Sequence, residues 1–212
     1  MSIVNDKFKN RYRMGTSRLQ DWDYASAGYY YVTICTYNRT NYFGEIGNGN
    51  MHLSRIGEIA QQCWSEIPKH YPMVKLDEFI VMPNHVHGII NIVETQNFAS
   101  LQNDDTKSSK THELTFKNTF GPQSKNLGSI IRGYKAGVKK WTTINNVVFR
   151  WQPRYYDHII RDEESLTRIR EYIKNNPLQW ANDIENKDSV KTQNRNIQTQ
   201  DFAPLQNIKQ KR

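Results

Sequence analysis

Two histidines one residue apart, His85 and His87, sit in Met82-Pro83-Asn84-His85-Val86-His87-Gly88, between the apolar stretches Phe79-Ile80-Val81 and Ile89-Ile90. The pattern reads as strand, Pro-Asn turn and second strand. Side chains on a strand alternate faces, so both imidazoles leave on one side and Val86 on the other. Two imidazoles on one face are half of a metal site. A strand histidine is commonly no more than a hydrogen-bonded residue. In so apolar a hairpin, however, burying two unpartnered rings would cost roughly 1–3 kcal/mol each, so the pair needs a partner.

A second candidate pair is Tyr172 and Asn176, four residues apart and just ahead of Pro177. On a helix they emerge from one face, a turn from each other. A third feature is charge. Between Gly121 and Tyr156 there is no Asp or Glu, whereas Lys125, Arg132, Lys135, Lys139, Lys140, Arg150 and Arg154 all fall there. A charge run is commonly a solvated face, but in a chain of formal net charge +8 this one reads as a phosphate-facing surface. Near the start, Arg11 and Arg13 stand with Lys7, Lys9 and Arg18 among Phe8, Tyr12, Trp22 and Tyr24. The mixture suits either a nucleic-acid-contacting arm or a solvated leader.

The elements that must position these groups follow from pattern. Tyr29 to Tyr37 is rich in β-branched and aromatic residues and reads as a strand. From Ser54 to Ile67, Ile56, Ile59, Ala60, Cys63, Trp64 and Ile67 recur at helical spacing. The central hairpin spans about 74–93. Asn126 to Trp141 is a second helix with the stripe Leu127, Ile130, Ile131, Tyr134, Val138 and Trp141. Asp162 caps a third from Glu163, carrying Leu166, Ile169, Tyr172 and Ile173 and halted by Pro177.

At 212 residues and 37% hydrophobic content, the chain has material for one core. The expected organisation is a basic arm at 1–24, a domain at 25–180 interrupted by a polar insertion at about 94–124, and a polar tail at 181–212, insertion and tail being disordered. Two cysteines, Cys35 and Cys63, are too few for a disulfide framework or a cysteine zinc site. Neither a signal peptide nor a run of about 20 apolar residues is present, so no membrane span and a cytoplasmic location are expected. The stretch 95–103 is nearly echoed at 199–207, and nothing physical accounts for it.

Met82-Pro83-Asn84-His85-Val86-His87-Gly88, then the run from Trp151 to Arg161, then Tyr172-Ile173-Lys174-Asn175-Asn176-Pro177 together resemble the REP-associated tyrosine transposases. These are single-tyrosine relatives of the IS200/IS605 transposases in the His-hydrophobic-His nuclease superfamily. The resemblance covers about residues 25–180. It implies an α+β fold, a ferredoxin-like antiparallel sheet with helices packed on it. It also implies a divalent ion held by His85 and His87, Tyr172 as nucleophile, and Asn176 as third metal ligand. The implied reaction nicks and rejoins single-stranded DNA beside a small hairpin through a 5′-phosphotyrosine. Ligand chemistry alone favours zinc or manganese; the family implies Mg²⁺ or Mn²⁺. It also leaves open a monomer or a homodimer.

Rival tyrosines are Tyr134, on the apolar stripe of its helix, and Tyr155 and Tyr156 beside the basic run. Two other readings compete with strand transfer. One is a catalytically silent nucleic-acid-binding regulator derived from such a transposase. The other is a metal phosphohydrolase that uses water and has no need of Tyr172.

Overall fold

The computed structural model describes residues 22–93 and 125–186, with Leu19 and the backbone of two short strands, β1 (Lys7–Phe8) and β2 (Arg11–Tyr12). The expectations placed on the side chains of Arg11 and Arg13, on the 94–124 insertion and on the tail beyond 186 lie outside the described residues.

The remaining elements are β3 (Gly28–Cys35), β4 (Gly44–Gly47), β5 (Asn50–Leu53), α1 (Arg55–Ser65), α2 (Ile67–His70), β6 (Val74–Val81), β7 (His85–Ile92), α3 (Leu127–Ile144), β8 (Tyr156–Ile160) and α4 (Glu163–Asn175). A 3-10 turn, Asn176–Asn182, follows α4. Four strands form an antiparallel sheet in the order β6-β7-β3-β8. With helices packed on it, this is the α+β architecture expected.

The period of two divides the sheet's side chains between two layers. From β3, Tyr30, Val32 and Ile34 join Val86, Ile90 and Ile92 of β7 and the stripes of α1 and α3 in the larger core. Tyr31 of β3 and Ile89 of β7 point the other way, into a smaller core with Leu166, Ile169 and Ile173 of α4. His85 and His87 share a face with Ile89, so they lie in the α4 layer.

Two details lock this arrangement. Gly88 lies on the opposite face from the histidines, where a Cβ would come within 2.2 Å of the Trp64 indole. Only glycine lets the α1 indole lie against β7. On β6 the register slips between Leu76 and Phe79. In a regular strand Asp77 and Glu78 would face opposite ways; the bulge frees both to turn toward α4. Asp77 receives a two-pronged grip from Arg170, at 2.8 and 2.7 Å, and Glu78 pairs with Lys174 at 3.2 Å. Arg170 and Lys174 are four apart, so one bulge meets one helix face.

Two boundaries differ from expectation. β3 stops at Cys35, because Thr36 bridges to Trp151 and Asn38 and Arg39 turn the chain with φ of 51° and 49°. α3 runs on to Ile144, whose side chain is exposed and adds nothing to the apolar stripe that sequence reading follows. Pro177 ends α4 as expected, Asn175 being its last residue. It occupies the start of the 3-10 turn, where its missing N–H costs nothing, and the chain continues into Asp183, Glu185 and Asn186, all buried. Packed structure therefore continues past residue 180, to Asn186.

Replacing Gly88 by Ala should destabilise the fold by about 1–3 kcal/mol through overpacking against Trp64. That corresponds to a drop in Tm of roughly 3–10 °C. Thermal unfolding followed by circular dichroism checks this, and an unchanged Tm would contradict the packing described.

Candidate active site

The turn between β6 and β7 delivers His85 to the first position of β7, opposite Cys35, and puts His87 opposite Thr33. Both rings are fully buried, and their Nε2 atoms approach to 2.9 Å. The outer nitrogens fix what the inner ones can do. Asn84 Nδ2 donates to the carbonyls of Arg39 (3.2 Å) and Glu185 (2.8 Å), so its Oδ1 is turned to His85 Nδ1 at 2.8 Å. An amide oxygen only accepts, hence His85 carries its proton on Nδ1 and presents a lone pair at Nε2. His87 Nδ1 meets two hydroxyls, Tyr31 at 2.7 Å and Thr33 at 3.0 Å. Hydroxyls both donate and accept, so this ring can hold its proton on either nitrogen.

Burial, and then the nearby Arg39 charge, push the His85 pKa from 6.5 down to about 3. Burial also holds His87 well below the usual imidazole range; His85 adds to the effect and Asp183 opposes it. Two neutral rings with adjacent inner nitrogens make a pair of donors that could hold a cation.

α4 brings the phenol to this pair. Tyr172 Oη lies 3.5 Å from His87 Nε2, with the two rings edge to face at 5.3 Å. Burial and the Asp183 carboxylate raise the Tyr172 pKa well above the ordinary phenol value, with the Asn176 amide acting against them. Of the rival tyrosines, Tyr134 is buried in the larger core against Trp64 and Trp151. Tyr156 packs against Tyr31 in the smaller core, and Tyr155 against the larger one.

Asn176 is 1% exposed. Its Nδ2 donates to Asp183 Oδ2 at 3.0 Å, and its Oδ1 has no hydrogen-bond partner among the described residues. Asp183 itself supplies a carboxylate oxygen that lies, with a nitrogen from each histidine, in one group whose members are within 4.8 Å of each other. Sequence reasoning missed Asp183, and with it Glu185 and Asn84. Asn84 carries only a turn signal in the sequence. Asp183 and Glu185 are two acids in a polar stretch after a proline, and no local pattern distinguishes them from a tail.

The predicted basic surface divides into two groups. Lys135 Nζ donates to the carbonyls of Gln152 (2.7 Å) and Arg154 (3.0 Å), and Lys139 Nζ to that of Phe149 (2.9 Å). These two lysines pin the loop 149–154 to α3, and burial lowers the Lys135 ammonium to about 8. Lys125, Arg132, Lys140, Arg150 and Arg154 are exposed. The Arg150 guanidinium lies 4.5 Å over the Tyr37 ring.

No protein-family model matches the chain. An uncharacterized protein of Haemophilus influenzae is 44% identical over 170 residues, 78% of this chain and 89% of that one. A second protein of that organism, provisionally named a REP-associated tyrosine transposase, is 24% identical over 156 residues, 74% of this chain and 73% of that one. The solved structure of a REP-associated tyrosine transposase bound to a REP hairpin superposes with a TM-score of 0.51 at 17% identity, covering 79% of this chain and 74% of that chain. The chain belongs to one family with the 44% identical protein, and its fold is that of the REP-associated tyrosine transposases. The resemblance read from three motifs is thus borne out in the fold. His87 and the helix tyrosine come together, although 85 residues separate Tyr172 from His87. No helix among the described residues is long and apolar enough to cross a membrane.

The histidines give a pH signature. Unfolded, each binds a proton near pH 6.5; folded, they resist protonation down to about pH 3 in the case of His85. The unfolded state therefore binds more protons, and the contribution present above pH 6.5 is lost as pH falls toward 3. In metal-free buffer the urea midpoint should fall between pH 7 and pH 5. That slope should flatten when His85 and His87 are both replaced by Asn. A midpoint independent of pH over this range in the unsubstituted protein would contradict neutral burial of the pair.

Proposed function

We propose that this chain is a divalent-metal-dependent strand transferase acting on single-stranded DNA beside a hairpin, with Tyr172 as nucleophile. The observation that carries the reading is the approach of Tyr172 Oη to 3.5 Å from His87 Nε2, at a buried pair of imidazoles. A water-using phosphohydrolase gives no reason for a phenol at that point.

The residues suit a metal. His85 Nε2 offers a lone pair inward, Asn176 Oδ1 is a buried acceptor lacking a partner among the described residues, and the Asp183 carboxylate lies close by with its negative charge. The 2.9 Å between the two inner nitrogens is a hydrogen-bond separation, and the choice of Mg²⁺ or Mn²⁺ over zinc follows the family resemblance. When bound, such an ion would withdraw charge from the phosphoryl oxygens and favour ionisation of the nearby phenol.

The chain's own contribution is placement. α4, held by Asp77 and Glu78, presents the Tyr172 oxygen to a phosphorus atom. The phenol loses its proton and forms the new P–O bond, the P–O3′ bond breaks, and the departing 3′ oxygen takes up a proton. The product is a 5′-phosphotyrosine whose bond energy is retained. Attack by another 3′-hydroxyl on that phosphorus releases Tyr172 and joins strands without ATP. Single-stranded DNA with hairpin character is the proposed partner. The exposed Lys125, Arg132, Arg150 and Arg154 would contact its phosphates, assisted by Arg11 and Arg13; Lys135 and Lys139 add charge while bracing the loop.

Incubation with labelled hairpin-bearing single strands and Mg²⁺ or Mn²⁺, followed by a denaturing gel, should reveal a covalent protein–DNA adduct. Tyr172→Phe should abolish it and His85→Ala should reduce it at least a hundredfold. Cleaved strands without an adduct would show water to be the nucleophile, and binding without cleavage would identify a regulator. An adduct surviving in Tyr172→Phe would place the nucleophile elsewhere.

A further inference from the structure

A run of hydrogen bonds leaves His85 and returns to Asn176 by a path outside the site. His85 Nδ1–H donates to Asn84 Oδ1 (2.8 Å), and Asn84 Nδ2 donates to the Glu185 carbonyl (2.8 Å). Glu185 N–H donates to Asp183 Oδ1 (2.6 Å), while Asp183 Oδ2 accepts from Asn176 Nδ2 (3.0 Å). Asn84, Asp183, Glu185 and Asn176 are all buried, the first and last at 1% exposure. Glu185 is in turn anchored through its carboxylate to Arg39 and to the Cys35 thiol.

The direction of each bond matters more than their number. Asn84 Oδ1 accepts the imidazole N–H, so the His85 lone pair must point inward. Asp183 takes the amide N–H of Asn176, so the amide cannot flip and its oxygen is the atom left over. That oxygen is buried with no hydrogen-bond partner among the described residues. A buried acceptor left bare is costly, and the neighbouring carboxylate holds it in that orientation. Both Asp183 oxygens already accept N–H groups.

From this we infer that Asp183 is a positioning residue. It acts through Asn176, fixing the amide oxygen in the orientation a metal ligand needs, and the Glu185 anchor holds Asp183 in place. The inference rests on the metal-dependent reading above and goes beyond it, because it gives a role to residues past Asn176. Removing a group that orients a ligand weakens metal binding roughly ten- to a hundredfold. Once Asn176 is gone, removing Asp183 should matter little more, since its action has lost its object.

The test is Mn²⁺ affinity, measured by calorimetry and by the electron paramagnetic resonance of free Mn²⁺, on the full chain and on Asn176→Ala, Asp183→Ala and the double substitution. Each single change should weaken binding roughly ten- to a hundredfold, and the double should be no weaker than the poorer single. Losses that multiply would show Asp183 to be an independent ligand and overturn the inference. Unchanged affinity in Asp183→Ala would also overturn it. If that variant does not fold by circular dichroism, Asp183→Asn, which keeps size and one acceptor oxygen, is put through the same cycle. Absence of Mn²⁺ binding by the unsubstituted chain would instead defeat the metal-dependent reading itself, and this inference with it.

Discussion

Two imidazoles buried together with their inner nitrogens 2.9 Å apart set the terms for the surrounding structure. Protonating both would put two charges side by side in an apolar layer, so they stay neutral. Neutrality has to be enforced from outside, and the fold supplies different means for each ring. His85 is fixed by an amide oxygen that only accepts, while His87 faces the hydroxyls of Tyr31 and Thr33, which let its proton move. One ring is thereby fixed and the other adaptable.

The rest of the fold serves that pair through the sheet's alternation. Because β7 sends His85, His87 and Ile89 to one layer and Val86, Gly88 and Ile90 to the other, the larger core can be packed tightly without touching the site. Trp64 against Gly88 belongs to that structural layer. The α4 layer is thinner and relies more on charge: Arg170 and Lys174 fasten the helix to the β6 bulge. Ion pairs at a partly exposed position fix register more than they add stability. An element that brings Tyr172 to the histidine pair is well served by such a hold.

Much of this was legible in the residues. The His-Val-His triplet, the three long helices and the central hairpin each carry a local signal, periodicity or turn chemistry, that tertiary packing did not override. The expectation that Tyr172 and Asn176 share a helix face was correct only in part. Tyr172 is in α4, whereas Asn176 begins the 3-10 turn beyond it. The role of Asp183 was not legible, because what makes it matter is a contact with Asn176 and a backbone N–H two residues on, formed only when the chain turns back over the site. Lys135 and Lys139 show the opposite limit. Composition marks them as phosphate-facing, but their ammonium groups hold the carbonyls of the 149–154 loop, an attachment that charge counting cannot foresee.

The central claim, that the paired imidazoles and the helix tyrosine converge on one metal ion, is tested most directly by crystals grown with Mn²⁺ and data collected at the manganese absorption edge. The account predicts one anomalous peak within coordination distance of His85 Nε2, His87 Nε2 and Asn176 Oδ1, with the Tyr172 oxygen beside it. No peak at the histidines, or a peak there with Tyr172 withdrawn to the far side of the sheet, would contradict it.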